Sequence, residues 1–221
     1  MVDSRADTVN NRGMTTGRPA GYSAISSYSR VELLHLIQLQ RERTIADLVG
    51  ATGLHANTVR EHLQRLIDEG YVVAESEHRT TRGRPRVLYS AADGAGASSA
   101  VQQRKVKAAA ERGDLLRRVL PGQQSIELDT AALHQVDAVV EDLMDAGFDP
   151  LIDEEALTID LTPCAHAESQ AAHREVLCSV HLSLMQSVLT EAGGPLSIDG
   201  MRSSCDPTEC VVQLLHAGHR Q

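Results

Sequence analysis

Two short helical patterns on either side of a glycine, followed by two short strands, constrain the fold of this chain more than any other feature. Thr44 is a predicted N-cap for a helix over residues 45–51, and Gly53 ends that helix. A longer helix follows over residues 54–69, with Gly70 as its C-terminal cap. Two helices joined by a glycine-containing turn are typical of a helix-turn-helix, whose second helix enters the major groove of DNA.

The helix before this pair supplies the rest of a small core. It begins near Ser29, which we interpret as its N-cap, and its apolar spacing predicts four core residues: Val31, Leu33, Leu34 and Ile37.

The polar face of the second helix carries residue types that recognise base edges. One face is apolar and holds Val59, Leu63, Leu66 and Ile67. The opposite face and the N-terminal end hold Asn57, Thr58, Arg60 and Glu61. Asn can pair with adenine, Arg with guanine, and a Thr methyl can contact thymine. A solvated polar face is the alternative, and the strands that follow disfavour it.

Residues 71–74 and 87–89 are predicted strands, and an arginine-rich segment lies between them. Four of its residues in a span of eight are predicted DNA contacts: Arg79, Arg82, Arg84 and Arg86. Gly83 permits close approach and Pro85 stiffens the tip, so this hairpin suits contact with phosphates or with a minor groove. The sequence therefore predicts a winged helix-turn-helix.

Residues 58–63, 70–72 and 83–89 resemble winged-helix regulators of the ArsR/MarR type. The sequence departs from them at His55, where a Ser or a similar cap is usual. That departure weakens the predicted N-cap of the second helix, but not the helix itself.

The charge is divided between the two halves of the 221-residue chain. Residues 1–121 carry 18 Lys+Arg against 13 Asp+Glu, whereas residues 122–221 carry 3 against 17, and the whole chain has a net charge of −9. Phosphate neutralisation supplies most DNA affinity, so the basic half is the one expected to face DNA. Aromatic residues are only 2%, which disfavours a single-strand platform built on stacked bases.

We predict an α+β chain with four parts. Residues 1–28 form a flexible tail, 29–92 a winged-helix domain, 93–122 a linker with a dimerisation helix, and 123–221 a sensor domain. The sensor domain is predicted as α-β-β-α-β-β with an antiparallel sheet: helix 129–146, strands 149–152 and 157–161, helical region 165–192, and strands 196–201 and 210–215. We expect a homodimer, because helix-turn-helix proteins usually bind two half-sites.

All four cysteines fall within 47 residues of the acidic half, namely Cys164, Cys178, Cys205 and Cys210. Three histidines join them there: His166, His173 and His181. Thiolate and imidazole suit a soft metal if they converge in space. A straight helix from Ala165 would carry Cys178 about 20 Å away. We therefore predict a break near His173 and Arg174.

Several chemistries remain open for these cysteines. Zinc prefers closely paired Cys-x2-Cys chelates, whereas an iron–sulfur cluster tolerates long irregular spacing. A thiol switch needs only two cysteines, and buried cysteines without any site are the remaining alternative. A disulfide framework is disfavoured in a cytosolic chain. An enzyme would use Cys178 as nucleophile and His181 as base, but no third orienting group is evident, so we predict a non-enzyme.

Residues 164–166, 176–181 and 210–214 resemble the C-terminal half of SufR-type regulators. That resemblance implies a homodimer with a [4Fe-4S] cluster, whose loaded form represses iron–sulfur assembly genes and leaves DNA when the cluster is damaged. It assigns Cys164, Cys178 and Cys210 as ligands, with Cys205, His181 or His166 as the fourth. The sequence departs at Cys164, where a Cys-Pro-Phe run is typical of the family.

The predicted partner is a double-stranded DNA operator, and no membrane is expected. The N-terminus is polar, and no apolar run approaches the roughly 18 residues of a membrane span. The expected location is the cytoplasm.

Overall fold

The first five elements of the computed structural model form a winged helix. They are α1 (Tyr28–Leu39), α2 (Ile45–Thr52), α3 (Ala56–Asp68), β1 (Val72–Ser76) and β2 (Val87–Ala91), with the two strands antiparallel. The structure describes residues 25, 27–78, 85–120, 128–163, 171–202 and 208–218, without the side chains of residues 171 and 172. The predicted tail therefore falls almost entirely outside the described residues.

Local hydrogen bonds define the ends of α2 and α3, which lie within two residues of the predicted bounds 45–51 and 54–69. The Thr44 hydroxyl accepts from the amide of Asp47, and the Asp47 carboxylate accepts from the amide of Thr44, so the two residues form a capping box. Gly53 ends α2 with φ of 69°. After α3, Gly70 has φ of 90°, and the amides of Gly70 and Tyr71 donate to the last carbonyls of the helix. This Schellman pattern explains why glycine stands at position 70.

Helix α1 starts two residues earlier than predicted. Ser27, not Ser29, occupies the N-cap position, and its side chain makes no capping hydrogen bond. Tyr28 is already helical there, and its ring stacks on His173 with a centroid separation of 3.9 Å. Packing of Tyr28 against a distant part of the chain thus accompanies the earlier start.

The second half of the chain places helices against an antiparallel sheet. Its elements are α4 (Ala100–Val119), α5 (Thr130–Ala146), β3 (Leu151–Asp153), β4 (Thr158–Asp160), α6 (Ala171–Ala192), β5 (Leu196–Met201) and β6 (Val211–His216). The strand order is β3-β4-β6-β5, and each neighbouring pair is antiparallel. The predicted mixture of helices and antiparallel strands is confirmed.

The predicted break near His173 and Arg174 is wrong, because α6 passes through both residues without interruption. The sequence of α6 contains neither glycine nor proline, so nothing in it opposes a continuous helix. Residues 165–170, which we assigned to the same helical region, lie outside the described residues.

The Gly/Ser-rich segment after β2, which its composition marks as a linker, packs against α6. The Asp93 carboxylate accepts hydrogen bonds from three consecutive amides, those of residues 95–97. Gly94 lies so close to α6 that a Cβ atom would come within 2.8 Å of two backbone atoms of that helix. Ser98 also donates to Glu191 of α6. This segment is therefore a tight connection rather than a loose one.

Helix α6 contributes to two hydrophobic cores. Residues 177, 180 and 184 of α6, all apolar, belong to the core of the winged helix, whereas the C-terminal part of α6, from Met185 on, packs with α4, α5 and the sheet. Gln135 of α5 links α6 to β5: its amide nitrogen donates to the carbonyls of Leu189 and Leu196, and its oxygen accepts from the amide of Leu196. The two halves of the chain are thus joined through one long helix.

Candidate DNA-binding surface and cysteine site

Helix α3 has one face in the core and the predicted base-contacting residues on the other side. Val59, Leu63 and Leu66 are buried, and Ile67 packs at the edge of the same core. Asn57, Arg60 and Glu61 are exposed, and Thr58 is half-buried. The residues chosen for major-groove contact therefore lie at the exposed N-terminal part of α3.

His55 serves as the N-cap of α3, although we expected a weakened cap at this position. Its Nδ1 atom accepts a hydrogen bond from the amide of Asn57 at 3.2 Å. A ring nitrogen that accepts must be unprotonated, so this geometry requires the neutral imidazole with its proton on Nε2. One turn further on, Arg60 donates to the Asn57 side chain at 2.9 Å. The side chains of Asn57 and Arg60, both predicted to contact bases, therefore hold each other in position.

The described base of the wing holds Arg86 in a two-point ion pair. Its guanidinium donates to both Glu77 carboxylate oxygens, at 2.9 and 3.1 Å. This hydrogen bonding to Glu77 raises the pKa of Arg86. Arg86 therefore stiffens the hairpin as well as presenting charge. The other three predicted wing contacts, Arg79, Arg82 and Arg84, lie outside the described residues.

Arg43 makes a backbone contact beside the wing that sequence reasoning missed. It lies between α1 and α2, and its backbone exchanges two hydrogen bonds with Tyr89 of β2, at 3.0 and 2.8 Å. This bridge adds a third short extended segment beside the wing strands. A single extended residue has no periodicity, so the sequence offers no signal for it.

Cys178, His181 and Cys210 line one cavity in the acidic half. Cys178 and His181 lie on α6, and Cys210 directly precedes β6. The rest of the lining is apolar: Phe148, Leu161, Leu182, Met185, Met201 and Val212. The Sγ atom of Cys210 is 3.9 Å from the Sδ atom of Met201, and Phe148 meets the His181 ring edge-on at 4.9 Å. Two predicted ligands and one candidate fourth ligand therefore converge on one apolar cavity.

The described residues do not complete a metal site by themselves. Among them, no three His, Cys, Asp or Glu side chains are arranged to hold a metal ion. The cavity measures about 10 Å³, which is room for about one water molecule. Cys164, Cys205 and His166 lie outside the described residues, so half of the predicted cysteine set is not placed. Thiolate and imidazole donors in apolar surroundings nevertheless suit a soft metal or an iron–sulfur cluster.

The chain segment that leads to Cys164 lies beside Cys210. The amide of Leu161 donates to the Cys210 carbonyl at 2.7 Å, and the amide of Cys210 donates to the Thr162 hydroxyl at 3.2 Å. Only Pro163 separates Thr162 from Cys164, so the chain can span at most about 7 Å between them.

The helix that carries Cys178 also contacts the DNA-binding half. Leu177 and Val180, the neighbours of Cys178 along the helix, are buried in the core that contains α1 and α3. Near its start, His173 stacks on Tyr28 of α1. A displacement of α6 at Cys178 would therefore be transmitted to α1 through packed side chains.

These features define a class of protein: a helix-turn-helix with an exposed polar recognition helix and a wing is a DNA-binding regulator domain. Residues 27–73 match the family model described as bacterial regulatory protein, arsR family. An ArsR-family transcriptional regulator domain thus occupies α1 to the start of β1, as the sequence resemblance predicted. A search of curated proteins found no match. No helix of the described residues is long and apolar enough to cross a membrane.

Proposed function

We propose that this protein is a transcriptional regulator whose cysteine site on α6 controls DNA binding by the winged helix, and that the site holds an iron–sulfur cluster. One observation carries the proposal. Cys178 and Cys210 line the same cavity although 31 residues separate them in sequence, and the helix that bears Cys178 is part of the DNA-binding core.

The proposed ligands are Cys164, Cys178 and Cys210, with Cys205, His181 or His166 as the fourth. When bound, an iron–sulfur cluster supplies a redox-sensitive and oxidant-sensitive centre. The protein contributes the apolar cavity wall, which excludes water from the thiolates, and two hydrogen bonds that fix Cys210: the Leu161 amide donates to its carbonyl, and the Thr162 hydroxyl accepts from its amide. His181 is oriented by the edge of Phe148.

Coupling to DNA would proceed through α6. A cluster bound by both Cys178 and Cys210 would link α6 to β6. Loss of the cluster would remove this link and allow α6 to shift against α1. Because Leu177 and Val180 are buried on α1, a shift at Cys178 changes the support of the recognition helix. A two-state change of this kind typically carries 1–3 kcal/mol, or roughly 5–150-fold in operator affinity.

We further propose a homodimer that uses the C-terminal end of α4. Four large apolar side chains there are between 52% and 65% exposed: Leu115, Leu116, Val119 and Leu120. Contiguous exposed apolar surface is uncommon on a monomer and marks interaction sites. A second copy packed on this face would place two recognition helices to read a two-fold operator.

Two arginine variants test which side chain recognises individual bases and which binds DNA regardless of its sequence. Arg60→Ala should relax discrimination at one base pair per half-site by about 1–3 kcal/mol. Arg84→Ala should weaken binding to all sequences and flatten its salt dependence, because it removes a phosphate or minor-groove contact. Fluorescence anisotropy on specific and random duplexes at several salt concentrations measures both. Equal losses on both duplexes for both variants would contradict this assignment.

The ultraviolet–visible spectrum of anaerobically purified protein tests the cluster. We expect a brown protein that absorbs near 400 nm. Cys164→Ser, Cys178→Ser and Cys210→Ser should each abolish this absorbance, whereas Ser179→Ala, an exposed neighbour on α6, should keep it. Loss of absorbance in Cys205→Ser would identify the fourth ligand. A colourless protein that contains zinc, or one that contains no metal, would instead support the zinc or thiol-switch alternative.

A further inference from the structure

His55, the N-cap of the recognition helix α3, uses one of its two ring nitrogens for the cap. Its Nδ1 atom accepts a hydrogen bond from the amide of Asn57 at 3.2 Å. A ring nitrogen that accepts carries no proton, so the proton of the neutral ring is on Nε2. Nε2 lies across the ring from Nδ1, and the side chain is exposed. His55 therefore presents an N–H donor at the exposed start of α3.

The cap by itself does not require a histidine at position 55. Serine, threonine, aspartate and asparagine are the preferred N-caps, and Ser or a similar residue is usual here in the regulators that this chain resembles. A serine that caps keeps its proton on the capping oxygen, one bond from Cβ. The imidazole instead caps with one nitrogen and carries its donor on the other, further from the helix end. The feature that distinguishes His55 from a serine cap is therefore the reach of this donor.

The position of His55 in the domain indicates DNA as the hydrogen-bond acceptor. The match to the arsR family model covers residues 27–73 and so includes His55 and all of α3. The N-terminal residues of such a recognition helix face the major groove. Asn57 and Arg60, the predicted base contacts, lie within the first turns of α3, whereas His55 precedes the helix. Half to two-thirds of protein–DNA hydrogen bonds go to the sugar–phosphate backbone, which borders the groove.

We propose that the Nε2–H of His55 donates to a phosphate oxygen of DNA, so that one side chain both caps α3 and fixes it on the duplex. This contact presupposes the proposed function, DNA binding by the winged helix. Because every base pair carries the same phosphates, the contact contributes equally on all sequences. A neutral donor displaces no counterion, so the salt dependence of binding does not include it. These two properties distinguish His55 from Arg60, a base contact, and from Arg84, a charged contact.

His55→Ser tests the contact while it keeps a preferred N-cap. Fluorescence anisotropy measures the affinity of the full-length protein for a random-sequence duplex at pH 7.5 and several salt concentrations. We expect binding about three- to tenfold weaker than that of the wild type, as for the loss of one hydrogen bond. The slope of log affinity against log salt and the urea midpoint detected by tyrosine fluorescence should not change. His216→Ser is the matched control and should bind like the wild type, because His216 of β6 also accepts an amide hydrogen bond through Nδ1, from Gly218 at 3.1 Å.

The ring proton of wild-type His55 gives a check that needs no variant. Long-range proton–nitrogen NMR spectra should place the proton on Nε2, and its resonance should shift when the random-sequence duplex is added. A proton on Nδ1, a resonance that DNA leaves unchanged, or equal affinity of wild type and His55→Ser would each overturn the proposal. A flatter salt dependence in His55→Ser, or a loss confined to one base pair of the operator, would also overturn it. Wild-type protein that binds no duplex would overturn the regulator function together with this contact.

Discussion

Replacing Leu184 by Ala tests whether α6 belongs to the core of the winged helix. Leu184 is 5% exposed and packs with Leu177 and Val180 in that core. The change removes three carbon atoms, worth about 2.4 kcal/mol at 0.8 kcal/mol each, and the cavity left behind adds to that cost. We expect a loss of about 3 kcal/mol in the free energy of unfolding. With a urea m value of about 2 kcal/mol/M, the midpoint should fall by about 1.5 M.

Tyrosine fluorescence makes this assay specific, because all four tyrosines lie in the first 89 residues and the chain has no tryptophan. It therefore reports unfolding of the DNA-binding half, whereas Leu184 lies almost a hundred residues further on. Leu151→Ala is the control: Leu151 is 66% exposed, so its loss should cost at most about 0.5 kcal/mol. An unchanged tyrosine-detected midpoint in Leu184→Ala, with a shift seen only by circular dichroism, would refute the shared core.

Two further changes test the packing of α4 on α5. Burial raises the pKa of Asp142 to about 6, so its destabilising effect is absent below about pH 4 and complete above pH 6. In urea titrations, Asp142→Asn should therefore be more stable than the wild type by about 1–3 kcal/mol at pH 7.5 and nearly equal to it at pH 4. A stability difference that does not depend on pH would contradict this prediction. Gly113→Ala should lower the free energy of unfolding by about 1–3 kcal/mol, although alanine has the higher helix propensity. The reason is that the new methyl group would overlap the Asp137 carboxylate, which is hydrogen-bonded to Arg117. A gain in thermal stability would show that α4 and α5 do not approach so closely.

Sequence reasoning succeeded where the determinant is local. The capping residue Thr44, the left-handed glycine at position 53 and the apolar spacing of α3 each specify structure within a few residues, and the structure confirms all three. His55 also caps α3, but its ring nitrogen accepts the hydrogen bond instead of a hydroxyl oxygen. General N-cap preferences rank histidine low, so they predict a weaker cap here than the structure shows.

Long-range packing could not be predicted in the same way. The periodicity of α6 marks apolar positions but does not say that its N-terminal part packs on α1 and its C-terminal part on α5. A break in α6 is predicted because a straight helix from Ala165 would carry Cys178 about 20 Å away, whereas the described helix runs without interruption from Ala171 to Ala192. Similarly, the contact between Arg43 and Tyr89 joins segments 46 residues apart and has no local pattern.

The most direct test is operator affinity before and after removal of the proposed cluster. Wild-type protein is purified without oxygen, its absorbance near 400 nm is recorded, and binding to its operator is measured before and after treatment with an iron chelator under oxidising conditions. We predict that affinity changes by roughly 5–150-fold in proportion to the absorbance lost. Cys178→Ser should have the treated affinity from the outset and should not respond to the chelator, and binding to random DNA should stay nearly constant throughout. An operator affinity that is the same in loaded protein, treated protein and Cys178→Ser would contradict control of DNA binding by the cysteine site.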